Sequence, residues 1–411
     1  MKRRSFLRHM AFSPAIGSSL LSGIGFLSCA NKAFAASGKT LVVIFQRGGC
    51  DGLNTVIPYG EDEYYSLRPQ ISIAPPGNNS KSALDLDGFF GLHPALSSLH
   101  DIYKLGDLAI FPTVHYPNGN RSHFSSQDFI ESGSANTRLP DGWLNRYLAK
   151  SNTDASLPAT SFDELSHALQ GEFPVGVLPN LDNLQSNFNE EIIQSLNSVF
   201  EQSNLDRSSY LKLLNTHGTI MLNEIDLLSS SNYNVYSPAN GVTYPTSKFG
   251  QQLRQTAHLI KSGFGMEICT INHNGWDHHV NQGGAEGSQA KKLKDFSDGI
   301  AALYSDLDRE YMENVVILTM TEFGRTAKEN ANSGTDHGNA SSWFAIGGGI
   351  NGGIYGDWPG IRTEDLYLGR YLKHTIDYRD IFSEIIANHF GNRIDLTSII
   401  PSHTYQPLGF L

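Results

Sequence analysis

The chain has 411 residues, enough for one large or two medium domains with an ample buried core, and is 39% hydrophobic, 10% aromatic and 17% charged. That composition excludes a disordered, collagenous or coiled-coil protein. Thirty Lys and Arg stand against 41 Asp and Glu, a formal net charge of −11, and such an acid excess argues against nucleic acid or an anionic lipid surface as a main partner.

Lys2, Arg3, Arg4, Arg8 and Lys32 all fall in residues 1–35, a segment without acids, so the remainder is more acidic still. Lys2-Arg3-Arg4-Ser5-Phe6-Leu7-Arg8 precedes a modestly apolar stretch, residues 10–27, and then Ala33-Phe34-Ala35. A charged region, an apolar region and a small-x-small site with paired arginines read as a twin-arginine export signal cleaved after Ala35. Gly17, Ser18, Ser19, Gly23 and Gly25 dilute the stretch below the roughly 20 apolar residues that a span requires, so no stable membrane span is expected after cleavage. The expected partner is the twin-arginine export machinery and the expected location periplasmic or secreted. Cys50 and Cys269 then remain, and in an oxidising compartment they either pair or stay as buried thiols.

In chain order, Leu41-Val42-Val43-Ile44-Phe45 is a continuous apolar run ending at Gly48-Gly49, the signature of a strand buried on both faces. Pro94 opens a helix with Leu96, Leu99 and Tyr103 on one side, and Gly106 ends it. Strand-like runs follow at residues 108–111, 266–271, 315–318 and 343–346. Leu293, Phe296, Ile300, Leu303 and Leu307 mark a helix before the third of these, and another starts near Asp377. This alternation predicts an α/β fold, a mostly parallel central sheet sandwiched by helices. Residues 151–255 are rich in Ser and Asn, with helical pieces at 192–200 and 210–228, and read as an inserted helical cap. The expected organisation is a signal peptide over 1–35, core halves over 36–150 and 256–411, and the cap between them.

Functional groups of an open parallel sheet gather past the carboxyl ends of its strands. Past the first strand lies Arg47-Gly48-Gly49-Cys50-Asp51-Gly52, where Asp51 either meets a cation or organises the turn. His273-Asn274-Gly275-Trp276-Asp277-His278-His279 follows the 266–271 run, and in an extended segment Asp277 and His279 share a face while His278 points away. Past residues 315–318, Glu322 either binds a cation or pairs with Arg325. Asp336-His337 precedes the 343–346 run as a further ligand pair. In Arg121-Ser122-His123, Ser122 is either a nucleophile, with Arg121 holding an anion and His123 moving protons, or a helix N-cap.

Leu41 to Pro58 with its Arg-Gly-Gly-x-Asp-Gly-Leu-Asn, Arg121-Ser122-His123-Phe124, Asp141-Gly142-Trp143-Leu144, Trp276-Asp277-x-His279, Thr321-Glu322-Phe323-Gly324-Arg325-Thr326 and Asp336-His337-Gly338 together resemble the twin-arginine-exported bacterial family called domain of unknown function 1501. That family is grouped with the alkaline phosphatase superfamily, which includes sulfatases and cofactor-independent phosphoglycerate mutases. The resemblance implies an alkaline phosphatase-like fold and two metal ions flanking a nucleophile. Asp51 then resembles the ligand after the first strand, Ser122 the nucleophile, Asp277 and His279 the Asp and His of one metal, and His337 the last histidine ligand. Glu322 stands where phosphatases have an Asp followed by His, but here Phe323 follows.

These residues imply an exported metal-dependent hydrolase of phosphate or sulfate esters acting on a small anionic ester. Asp51, Asp277, His279, Glu322, Asp336 and His337 would hold one or two ions, zinc or manganese by donor type. Ser122, His123, Arg121 and Arg325 would serve catalysis, with Arg121 or Arg325 neutralising developing charge. The alternative is a degenerate exported binding or assembly protein with one metal or none. A metal-free acyl hydrolase built on Ser122 has no Gly-x-Ser-x-Gly elbow behind it.

Overall fold

A computed structural model describes residues 38–151, 153–178, 181, 190–203, 209–230, 236–391 and 394–411. The expected export signal and its cleavage point lie outside the described residues. Nine described strands form one sheet: β1 (Thr40–Arg47), β2 (Leu108–His115), β3 (Ala159–Phe162), β4 (Gly176–Leu178), β5 (Ile268–Asn274), β6 (Val315–Met320), β7 (Ser341–Ile346), β8 (Gly353–Ile354) and β9 (Ile376–Asp377). Their spatial order is β8-β2-β7-β6-β1-β5-β3-β4, with β9 also paired to β2. Seven of the strand pairs in this sheet are set by β1, β2 and β3, and those between β1 and β5, β1 and β6, β3 and β5, and β3 and β4 are all parallel. β7 is antiparallel to both its neighbours, β2 and β6. The sheet is therefore mostly parallel with one reversed strand in its middle.

Both faces are covered, which is why β1 reads as an unbroken apolar run. Val42 and Ile44 face a core shared with helices α1 (Ser97–Leu105), α6 (Lys248–Lys261) and α7 (Ser288–Met312). Leu41, Val43 and Phe45 face the other core, built with α2 (His123–Ser132), α3 (Trp143–Ser151) and α8 (Tyr378–Glu384). Local signals set the helix ends. Pro94 sits in a 3-10 turn that leads into α1, Gly106 closes α1 at φ 84°, and the Asp377 side chain accepts from the Arg379 amide to cap α8.

The segment expected as a helical cap begins inside the sheet, because β3 and β4 extend it beyond β5. Only its later part is helical, in α4 (Glu190–Ser203) and α5 (Ser209–Ser230). Polar residues hid the strands: Thr160 and Ser161 are buried, and Ser161 accepts from Thr270 Oγ1 at 2.9 Å while donating to the Glu164 carbonyl at 2.6 Å. Cys50 and Cys269 are free, buried thiols, set against Thr55 and Thr256 respectively, and burial pushes both up to about 12. No described helix is long and apolar enough to cross a membrane.

Candidate metal centre

One edge of the sheet collects the chemistry. β1, β2, β5 and β6 all leave the sheet there, delivering Gly48, then Arg121 to His123, then Asp277 and His279, then Glu322 and Arg325. β7 runs the other way, so it is the segment before it that reaches this edge, carrying Asp336 and His337. Gly48 permits the crowding: at φ 124° a Cβ there would lie 2.6 Å from the Asp277 backbone nitrogen.

Three imidazoles converge on one carboxylate. His279 Nε2 and His337 Nε2 lie 3.0 and 3.2 Å from Asp277 Oδ1 and 3.0 Å from each other. His123 Nε2 approaches Asp277 Oδ2 at 3.5 Å. His123, Asp277 and His337 offer ligand atoms that all lie within 4.8 Å of one another, a group that could hold a metal ion. Ligands of a tetrahedral ion bonded at about 2.0–2.1 Å stand about 3.3 Å apart, close to the spacing seen here.

The far side of each ring fixes its tautomer. His123 Nδ1 meets Glu322 Oε1 at 2.7 Å, His279 Nδ1 meets Asp336 Oδ1 at 3.2 Å, and His337 Nδ1 meets the Arg121 carbonyl at 3.0 Å. Ionised carboxylates and carbonyls only accept, so every Nδ1 carries the proton and every Nε2 turns a lone pair towards Asp277 when the ring is neutral. Lone pairs gathered around a carboxylate repel unless a cation joins them. Outer acceptors that orient ligating histidines are the usual second layer of a metal site. The chain's donor set and its orientation fit a divalent ion.

Electrostatics keep the acids ionised. Burial alone would raise the Asp277 carboxyl, but Arg325, His279 and His337 together hold it below its usual range. Glu322 is fully buried, and donation from His123, Gln127 and the Gly48 amide outweighs that burial and lowers it likewise. The bond to Glu322 in turn raises His123 against its partial burial, while burial lowers His337. Phe323 lays its ring against His123 and His337 at centroid distances of 4.9 and 4.8 Å, an apolar neighbour to both. Asp277 and His279 remain about 40% exposed, so the group opens to solvent.

The structure sorts the expected residues into three sets. Asp277, His279 and His337 meet, and His123, expected as a proton carrier, joins them. Glu322 and Asp336, expected as ligands, instead stand behind His123 and His279. Asp51 is the clearest correction: Arg68 Nη1 and Nη2 reach its two oxygens at 2.6 and 2.9 Å, and Gln282 donates a further bond at 2.5 Å. A carboxylate so occupied is a buried ion pair, its charge already neutralised by Arg68. Arg325 is a second correction, since its guanidinium is wholly buried against backbone carbonyls and Asp277. Ser122 is exposed at the start of α2, where its side chain makes no capping bond. The Arg121 guanidinium lies over the Tyr371 ring, 4.5 Å from its centroid, with Arg370 near the same ring. Sequence reasoning missed Arg68, Gln127 and Tyr371, none of which sits in a recognisable spacing.

The model of the family described as "Protein of unknown function (DUF1501)" matches residues 112–403. The chain belongs to that family. Its matched region contains all four residues of the cluster and excludes Asp51. No curated protein matches the chain. Among solved structures, Ps i-CgsB, crystallised with k-i-k-neocarrahexaose, is 10% identical over 89% of this chain and 74% of its own, with a TM-score of 0.39. The PsFucS1 sulfatase from Pseudoalteromonas sp. is 9% identical over 85% of this chain and 68% of its own, at 0.38. The phosphonate monoester hydrolase of Agrobacterium radiobacter is 10% identical over 91% and 79%, at 0.31. Overlaps this loose carry no argument about the chemistry of the DUF1501 chain, whose fold class rests on its own sheet.

Proposed function

We propose that this DUF1501 protein is an exported hydrolase of phosphate or sulfate esters that works with one divalent cation held by His123, Asp277, His279 and His337. The observation that carries the reading is the convergence of three Nδ1-tethered imidazoles on one ionised, solvent-open carboxylate. Mixed imidazole and carboxylate donors favour zinc or manganese over magnesium or calcium. When bound, such a cation supplies a Lewis acid for the ester oxygen and a lowered pKa for the attacking group.

The chain's own residues supply the rest. Glu322, Asp336 and the Arg121 carbonyl orient the imidazoles, and Arg325 keeps Asp277 charged. The Arg121 guanidinium has no carboxylate partner among the described residues and serves the anionic half of the ester. Ser122, exposed beside His123, is the candidate nucleophile: its oxygen would bond to phosphorus or sulfur as the bond to the ester oxygen breaks, that oxygen would leave as the alcohol with the serine's proton, and water would then cleave the Ser122 ester to free the inorganic anion and restore the serine. One ion rather than two follows from Asp51 being neutralised by Arg68 and Glu322 being saturated by donors. The paired arginines of the N-terminal segment support twin-arginine export.

The same saturation favours a second reading, a catalytically degenerate exported binding or assembly protein with one ion or none. Metal analysis of purified protein together with assays on aryl phosphates and aryl sulfates separates the two. One equivalent of zinc or manganese, lost on His279→Ala, with ester turnover that Ser122→Ala abolishes, supports the hydrolase. One equivalent without turnover, or metal-free protein without turnover, overturns the hydrolase and leaves the binding role.

A further inference from the structure

Arg47 closes β1 and ties together the segments that carry Asp277, Glu322 and His123. Its carbonyl accepts from the Trp276 amide at 3.1 Å, one residue before Asp277, and the next residue, Gly48, donates its amide to Glu322 Oε1 at 2.9 Å, behind His123. Its guanidinium reaches α2. Nη1 and Nη2 donate to the two oxygens of Glu131 at 2.7 and 2.9 Å, Nε donates to Asn272 Oδ1 at 2.9 Å, and the group lies 3.8 Å from the Phe45 ring centroid. The Ser166 hydroxyl, in the loop after β3, donates to the same Glu131 at 2.5 Å.

The spacing on α2 gives this contact its reach. His123, Gln127 and Glu131 recur every four residues and so lie along one face of the helix. His123 and Gln127 both meet Glu322 Oε1, at 2.7 and 2.9 Å, while Glu131, about 12 Å along the axis from His123, meets Arg47. Ile130 is the one apolar side chain that α2 buries fully, so apolar packing alone fixes the slide and rotation of the helix weakly. A two-point fork between guanidinium and carboxylate fixes both distance and direction. Such a buried pair adds little net stability over apolar residues of the same volume, and fixing register is its best-attested use. Burial alone would raise the Glu131 carboxyl, but Arg47 and Ser166 hold it below its usual range.

We propose that Arg47 and Glu131, steadied by Ser166, are positioning residues of the metal centre: their fork sets where α2 stands against the end of β1 and thereby holds His123 Nε2 opposite Asp277 Oδ2, 3.5 Å away. Neither side chain belongs to the donor group itself. The inference rests on the metal-centre reading, and through Ser166 it gives the segment after β3 a part in that centre.

Zinc affinity of the full protein, measured by competition with a chromophoric chelator, tests the coupling. Glu131→Gln keeps the shape but breaks the charged fork, and affinity should fall about ten-fold or more, as on loss of an outer partner of a metal ligand. In a His123→Ala background the same change should have no further effect, because its route to the ion is gone. Asp51→Asn breaks another buried pair and should leave the affinity per folded chain unchanged, which separates positioning from loss of stability. A second readout needs no metal. The His123 Nδ1 proton, bonded to Glu322, is expected as a far-downfield NMR resonance of metal-free protein, assigned by its loss in His123→Ala. Glu131→Gln should shift it or broaden it away, and Asp51→Asn should leave it in place. Should Glu131→Gln fail to fold, Ser166→Ala removes one donor from Glu131 without unpairing Arg47 and is expected to change both readouts in the same direction by less. An equal affinity loss with and without His123, or a resonance that neither variant moves, overturns the proposal. Wild-type protein that binds no zinc refutes the metal centre, and the resonance still decides whether the fork places His123.

Discussion

Arg325 Nη2 donates to Asp277 Oδ1 over 2.5 Å, and the same guanidinium donates to the carbonyls of Gly48, Gly49, Trp276 and Thr335. One side chain from the loop after β6 thereby ties the exits of β1 and β5 and the approach to β7. Its charge is spent on fixing the Asp277 carboxylate, which makes it a positioning residue.

Arg325→Met leaves at least three buried carbonyls without their donor, so stability should fall by about 3–5 kcal/mol. Cation affinity should fall with it, because Asp277 loses both its anchor and the charge that keeps it ionised. Urea titration and competition against a chromophoric chelator measure the two effects, and an unchanged variant would return Arg325 to the substrate side.

Asp51 and Glu322 should respond in opposite ways. The Asp51–Arg68 pair is almost wholly buried, with side chains 2% and 0% exposed, and breaking such a pair costs about 3–5 kcal/mol. Asp51→Asn should therefore lower the unfolding midpoint while bound metal per folded chain stays the same. Glu322→Gln places an amide where His123, Gln127 and Gly48 all donate, so His123 loses its orientation and metal affinity should drop roughly 10–100-fold. Metal lost from Asp51→Asn and retained in Glu322→Gln would reverse the assignment of inner and outer groups.

Much of this arrangement is legible in the sequence, and the remainder is hidden for physical reasons. The β1 run announces a strand buried on both faces, and the two-residue spacing of Asp277 and His279 announces a shared face. The reversal of β7 is not announced, since an apolar run carries no direction, yet it is what brings His337 to the sheet edge. Arg68 lies 17 residues beyond Asp51 in a segment without periodicity, so nothing local reveals that the acid is already neutralised. Glu322 and Asp336 have the residue types of ligands, and only the placement of His123 and His279 in front of them shows that they stand one layer back.

Acid should weaken the fold before its carboxylates titrate. Burial pushes His115 down to about 3, and His93 and His389 down to about 4. All three rings are neutral in the folded chain, whereas the unfolded chain takes up protons near the ordinary value of about 6.5. Stability is therefore fully present above that pH and is lost as pH falls towards 4, at up to about 1.4 kcal/mol per pH unit for each histidine. His389 Nε2 donates to the Thr40 carbonyl at 3.0 Å, a bond that glutamine can replace without titrating. His389→Gln should flatten the fall between pH 6.5 and 4 by roughly one proton, read from urea unfolding at several pH values. A variant whose stability parallels the wild type throughout would show that His389 does not titrate on unfolding.

Glu384 ends α8 fully buried, and its carboxylate gathers the last residues of the chain. It accepts from the amides of Leu408, Gly409, Phe410 and Leu411 at 2.6, 3.1, 2.7 and 3.1 Å and from the Tyr405 hydroxyl at 3.2 Å. This clamp seats Phe410 against Phe111 of β2 with ring centroids 5.0 Å apart. Glu384→Ala abandons five donors, and deleting residues 408–411 abandons the carboxylate, so each change should cost about 3–5 kcal/mol. Four of the five bonds are lost in both changes, the Tyr405 bond surviving the deletion. The double variant should therefore cost well under the sum of the two, with an interaction energy of about 1–3 kcal/mol in a double-mutant cycle. Strict additivity would mean that the carboxylate and the tail act separately, and that Phe410 is held by its apolar contacts alone.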